Sequence, residues 1–381
     1  MNTYIRLVVF LSFIWSSVDA LEHSTTLKTT YNNYEDFKDE YLLDGSTTLA
    51  FENELFSTKL RVDYYYSTTY EEKRELLLNE LYLTHEAENY SLNIGKQIKF
   101  WGENEGYNIT DIYNQKNYLL DPFDKDLKVG SYGADFTYFL EDDSVTFGVK
   151  LYEKDKRYSS LDMPDYPFSL AYSKELQLSK KPYTPSYYFI YNFTTQESVD
   201  SESKLILYSG YDNKRYFRLK DASTVSQYSY RVNKLLFLSH ILYEDYIFKT
   251  ELAYTQTQDA KVSDYSQLSF GVERGFYDIY GVDATYYIEY YIYNYVEKNK
   301  IEDVDISELY DNDLFLALKL NFNNPQSSEL KFGSLYDTRE NTNIFQAEFS
   351  SRVFDTIILK AKVLRSKLYT NRYSLSAEYK F

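Results

Sequence analysis

The sequence predicts an all-β fold: a transmembrane, antiparallel, up-and-down β-barrel of about 18 strands, within a range of 16–20. Three observations carry this. The last ten residues, Arg372-Tyr-Ser-Leu-Ser-Ala-Glu-Tyr-Lys-Phe381, put Tyr373, Leu375, Ala377, Tyr379 and Phe381 on one parity and Ser374, Ser376, Glu378 and Lys380 on the other. That is the period of a strand with one apolar and one polar face, and the apolar face runs to the final residue. Similar alternation recurs along the chain: Leu314, Leu316, Leu318, Leu320 and Phe322 oppose Asp313, Lys319 and Asn321. Finally, the chain opens on an export-type segment, and no later stretch approaches the ~20 apolar residues of a spanning helix.

Composition narrows the class. The 381 residues include 45 Tyr and 25 Phe but only 12 Gly and 6 Pro, an aromatic excess that suits two interfacial girdles and leaves most turns to Asn and Asp. The formal charge of −17 argues against nucleic acid as a partner, which needs a basic footprint. With no cysteine there is neither a disulfide nor a thiolate metal site, and His23, His85 and His240 are scattered, so neither metal nor cofactor is expected.

Taken in order, residues 1–20 read as a secretory signal: Arg6 at the positive start, Leu7–Trp15 as the apolar run, and Val18-Asp19-Ala20 as the cleavage site. Residues 21–44 are expected to be a lead-in packed in or below the lumen, with a first strand as the alternative. The barrel is assigned to 45–381. Its expected strands are Thr47–Phe56, Lys59–Tyr66, Leu76–His85, Tyr90–Trp101, Gly130–Leu140, Ser144–Tyr152, Phe168–Leu178, Ser186–Thr194, Lys204–Gly210 and Lys214–Lys220. Tyr228–Tyr243, Asp245–Thr255, Tyr265–Arg274, Ile279–Tyr293, Asp313–Phe322, Glu329–Tyr336, Asn343–Arg352, Thr356–Ser366 and Arg372–Phe381 follow. Short links alternate with longer ones, among them Thr195–Ser203 and Glu297–Asn312; the longest is Gly102–Val129. Outer-membrane barrels have short periplasmic turns and long outer loops.

One stretch carries more than pattern. Asn79-Glu-Leu-Tyr82 lies in the arm before Asn93-Ile-Gly95-Lys-Gln97-Ile-Lys99-Phe-Trp101-Gly102-Glu103, which leads into Asn108-Ile-Thr-Asp111-Ile-Tyr-Asn114. Together with the terminal Phe this resembles a mostly uncharacterised group of porin-like proteobacterial outer-membrane barrels. The chain departs from that group after Asn114, where Asn-Pro-x-Asp is expected and Pro122 and Asp124 come later. The resemblance implies a barrel and an envelope function and supplies no substrate. Physically, Gly95 within a strand marks a bulge or a close backbone approach. A bulge, or a position near the rim, is also expected because Lys96 otherwise sits on the lipid parity.

Gln97, Lys99 and Trp101 share the polar parity and are expected to face the lumen. The acid-rich loop after them holds Glu103, Glu105, Asp111, Asn114, Asp121 and Asp124. The reading is a channel whose constriction these nine residues line, the loop folding inward, with a solvated outer loop as the competing picture. The acidic run Glu297–Asp313 lacks the glycine of a calcium loop and reads as a solvated outer loop. Tyr373, Leu375, Tyr379 and Phe381 are expected to act as the assembly signal read by the barrel-assembly machinery in the bacterial outer membrane. Besides lipid, the expected partners are small solutes or ions; oligomeric state is left open. The alternatives are a binding or export-partner barrel for a specific, hydrophobic substrate and, weakest, a barrel enzyme, since no nucleophile motif surrounds His85 or His240.

Overall fold

In the computed structural model of the chain, residues 21–166, 170–196, 199–296, 311–367 and 369–381 are described. The expected signal segment, residues 1–20, lies outside them. Eighteen strands form one closed antiparallel sheet. The first nine are β1 (Leu21–Tyr34), β2 (Glu40–Glu52), β3 (Ser57–Ser67), β4 (Glu75–Ala87), β5 (Tyr90–Gln97), β6 (Ser131–Leu140), β7 (Asp143–Lys150), β8 (Ser186–Thr195) and β9 (Asp200–Tyr211). The rest are β10 (Arg231–Tyr243), β11 (Tyr246–Thr257), β12 (Tyr265–Ile279), β13 (Val282–Tyr295), β14 (Asp313–Asn321), β15 (Glu329–Asp337), β16 (Thr342–Phe354), β17 (Ile357–Ser366) and β18 (Arg372–Lys380). Each pairs with its neighbour in sequence, and β18 pairs back onto β1 from Thr26↔Lys380 to Tyr34↔Arg372. Closure leaves no free edge in lipid, where an unpaired backbone group costs several kcal/mol. Phe381 completes the seam: its N–H donates to the Thr25 carbonyl at 3.0 Å, and its own carbonyl accepts from Thr25 N–H at 2.7 Å.

The expected lead-in is therefore corrected. Residues 21–34 are the first strand and residues 40–52 the second, because β18 needs a partner and Thr30, Asn32 and Tyr34 alternate into the lumen against its polar face. The strand count agrees with expectation partly through compensation. Residues 171–178 and 216–219, expected as barrel strands, join Thr224–Ser229 in a separate three-stranded sheet among the loops. Residues 228–229 belong to that sheet and not to β10. The expected hairpin around Gly275 turns instead at Tyr280-Gly281, both at positive φ (55° and 82°), the geometry of a two-residue hairpin turn. β5 ends at Gln97, so Lys99 and Trp101 belong to the loop.

At one end of the barrel every link has two to seven residues, among them the 196–199 connection, which was expected among the long loops. At the other end stand the long ones, 98–130, 151–185, 212–230 and 296–312, most of the last outside the described residues. The outer surface is apolar: Phe147, Leu235, Phe270, Leu316, Phe349 and Leu375 are all exposed, as side chains facing lipid should be. No described helix is long and apolar enough to cross a membrane.

Candidate functional site

Loop 98–130 leaves the wall at β5 and returns at β6, and its root is built by the motif residues. Asn114 donates to the carbonyls of Gln97 (3.0 Å) and Val129 (3.1 Å) and accepts from Lys99 N–H at 2.7 Å, tying the outgoing and returning arms together. Asn79 is the extra residue where the β3–β4 register shifts between Arg61 and Val62; it donates to the Lys128 carbonyl (3.0 Å) and accepts from Gly130 N–H (2.7 Å). Gly95 sits at φ 139°, and a Cβ there would lie 2.3 Å from the Leu81 carbonyl oxygen, so the strand needs glycine. Lys96 is buried, with its ammonium donating to the Leu78 carbonyl at the β4 bulge, which removes the charge from lipid.

From this root the loop crosses the lumen. Trp101 packs edge-on to Tyr188 of β8 (5.1 Å) and against Tyr113 (5.5 Å). They belong to a buried cluster with Ile190, Ile206, Leu236 and Leu238 from the lumen side of β8–β10. Farther on, the N–H groups of Glu103 and Glu105 donate to Glu251 of β11 (2.7 Å) and Glu289 of β13 (2.6 Å). The returning arm docks through Asp121, which accepts from Arg372 of β18 at 2.8 Å and Lys362 of β17 at 3.3 Å. Burial pushes the Asp121 carboxyl up, but these two cations more than offset it and hold it well below the usual carboxylate range.

What the loop leaves open is a cavity of about 330 Å³ against β13–β17. The wall side carries a row in direct register: Lys319↔Lys331 across β14–β15, Lys331↔Glu348 across β15–β16, and Glu348↔Lys362 across β16–β17. The loop side carries Glu105, Asp124 and Asp126 with Lys125. Three lysines and one glutamate thus face three acids and one lysine across the opening. Burial and the neighbouring Asp121 raise the Asp124 carboxyl above its ordinary value. Phe123, Phe315, Leu335 and Ile344 add an apolar floor.

Of the nine residues expected at the constriction, Glu105 and Asp124 line this cavity. Glu103 points the other way, to His240 (3.0 Å) and Lys204 (3.7 Å) on β10 and β9. Lys99 is held by Asp135 of β6 at 2.7 Å. Gln97, Trp101, Asp111 and Asn114 are buried in the loop's packing, Asp111 paired with Lys128, and Asp121 is the docking residue. Their expected place at an open pore wall is corrected: a loop that folds inward needs a core of its own, and these side chains make it. Sequence reasoning left Glu289 unnamed and gave no role to Glu251 or Lys331. Their parity marks them as lumen-facing, but Glu251 and Glu289 bind loop residues more than 140 positions away in sequence, which leaves no local signal.

No known family profile matches the sequence, and no curated protein is significantly similar to it. Solved structures do match in shape. Pseudomonas aeruginosa OpdK with vanillate superposes with a TM-score of 0.56 at 9% identity, over 96% of this chain and 99% of that one. P. aeruginosa OccD3 (OpdP) gives 0.53 at 10%, over 96% and 92%. OccK8 (OprE) of the same organism gives 0.52 at 12%, over 96% and 98%. At such identity the likeness is one of fold: with the closed 18-stranded sheet and apolar exterior, this chain has the architecture of a porin-like transmembrane β-barrel.

Proposed function

We propose that the protein is a porin-like channel through which small solutes and ions diffuse passively across the outer membrane, and not an enzyme. The observation that carries this is the loop 98–130 docked across the lumen, which leaves beside it, among the described residues, an opening with lysines on the wall and acids on the loop. Opposed charges across a narrow, low-dielectric-walled pore act more strongly than on an open surface and orient dipolar solutes. Glu105 and Asp124, with Lys319, Lys331 and Lys362, are the residues that set selectivity. Motif residues Asn79, Gly95 and Asn114 support placing the chain in the porin-like proteobacterial group it resembles, since they build the loop's root.

Purified protein in planar bilayers should give discrete conductance steps. Deleting Lys116–Asp126 should raise the step size, because it removes the returning arm and the Asp121 dock. Absence of steps from a correctly folded barrel would refute the channel. A second, more selective reading is favoured by the apolar floor beside the lysines: a solute with an apolar body and an anionic end. The vanillate held by OpdK is such a solute and is the first to test, as a blocker of ion current.

We also infer that Tyr373, Leu375, Tyr379 and Phe381 form the lipid-facing assembly signal. Deleting Phe381, which ends the β18–β1 seam, should lower folded yield in cells, and an unchanged yield would refute it.

A further inference from the structure

We propose that Glu251 and Glu289 are positioning residues of the channel, two wall carboxylates that hold the constriction loop across the lumen by its backbone N–H groups. This rests on the channel reading above. Glu251 Oε1 accepts from the N–H groups of Glu103 (2.7 Å) and Asn104 (3.3 Å), and its Oε2 accepts from Thr110 N–H at 3.0 Å and lies 3.0 Å from the Thr110 hydroxyl, whose proton it shares with the Trp101 carbonyl at 2.8 Å. Glu289 Oε1 accepts from Glu105 N–H at 2.6 Å; its Oε2 accepts from Gly106 N–H at 2.9 Å and from the Tyr291 hydroxyl. Between them, on β12, Ser269 Oγ takes Asn104 Nδ2 at 2.6 Å. Residues 103–110 are therefore laid over three adjacent strands of the wall.

Both carboxylates are buried, and Lys249, two residues along the same face from Glu251, pairs instead with Glu273 at 2.7 Å. A carboxylate taken out of water needs its lone pairs filled, and here loop amides fill them with charge-assisted bonds. The two carboxylates read the loop chiefly through its backbone, by the N–H groups of residues 103–106 and 110, with the Thr110 hydroxyl beside them. Undocking would strip Glu251 of its loop donors and leave Glu289 with the Tyr291 hydroxyl, so the loop is held in one position. Glutamine is a poor substitute, because its NH2 half would face an N–H.

The test is the Glu251→Gln/Glu289→Gln variant in planar bilayers. Loss of charge-assisted bonds should raise the time spent in a wider, higher-conductance state by about tenfold or more. An added Asn104→Cys/Ser269→Cys pair, clean in a chain without cysteine, should return the wild-type level on oxidation and release it on reduction. Unchanged levels and dwell times in the double glutamine variant would overturn the proposal. If that variant does not fold, Thr110→Val removes one donor from the loop and leaves the wall intact. It should widen the channel less and in the same direction, and no change would again overturn the proposal. The rate at which the cysteine pair cross-links gives a reading that needs no current. Slower cross-linking with the glutamines supports the latch, and equal rates refute it, even if a conduction failure has refuted the channel.

Discussion

The lumen has two unlike halves. Along β8–β10 the inward residues include Ile190, Ile206, Leu236 and Leu238, buried with Trp101 and Tyr113 of the loop. Along β14–β17 the inward row is Lys319, Lys331, Glu348 and Lys362, bordering open space. Both rows occupy the same parity of their strands. Strand alternation thus tells inside from outside, but not whether the inside is wet. What decides it is where the crossing loop finds apolar side chains to pack on; its outgoing arm rests on the half that offers them, while the returning arm touches the charged half through Asp121 and Phe123 and leaves Lys319 and Lys331 beside open space.

The largest contrast should be in stability. Leu236→Ala should cost about 2–5 kcal/mol, the range for a buried leucine whose cavity cannot refill. Lys331→Ala, at a partly exposed pair with Glu329 (3.3 Å), should cost under about 1 kcal/mol. Unfolding in urea with detergent measures both, and equal losses would break the distinction between the halves.

Next in size is a pH effect at the outer rim of the open half, where Asp165 in the loop 151–185 reaches Arg372 at 3.6 Å. Burial holds the Asp165 carboxyl up at about 6, with Arg372 working against it and Asp121 with it. An unfolded carboxyl titrates near ~3.9, so between about 4 and 6 the folded protein holds more protons than the unfolded one. Stability from this group therefore rises as pH falls through that window. Asp121, held low, stays charged there and keeps its ion pairs. The stability of wild type relative to Asp165→Asn should fall by up to about 3 kcal/mol from pH 4 to pH 7. A difference that does not change with pH would remove Asp165 from the account.

Smaller again is selectivity. Lys319→Gln/Lys331→Gln should move the reversal potential towards cations, and Glu105→Gln/Asp124→Asn towards anions. Glu103→Gln, turned away to His240, should shift it less, as should Glu340→Gln on an exposed outer turn. The shifts should shrink near 1 M salt, where screening shortens to ~3 Å. If Glu103 and Glu105 behave alike, the opening does not lie where the cavity does.

Much of the fold was legible because lipid imposes a strict code: alternation, tight polar turns and an apolar terminus all follow from burying backbone polar groups in a closed sheet. β1 was hidden because Leu21–Tyr34 is rich in Thr and Asn, with little apolar contrast to mark its lipid face. Residues 171–178 and 216–219 misled for the opposite reason: they are genuine strands whose alternation packs a small sheet instead of crossing lipid. The loop's inward fold was one of two readings that its length and charge left open, the other being a solvated outer loop. Its buried motif residues were not assigned to packing, although the apolar run Leu235-Leu-Phe-Leu238, greasy on both parities, signals a lumen wall that is covered.

The most direct test uses the absence of native cysteine. Single cysteines at Lys331, in the open half, and at Leu236, in the packed half, would be exposed in the folded barrel to a water-soluble, charged thiol reagent. The account predicts fast modification at 331 with a fall in single-channel current, and protection at 236 until the barrel is unfolded. Comparable labelling at the two positions, or protection at 331, would contradict a lumen divided into a packed half and an open charged half.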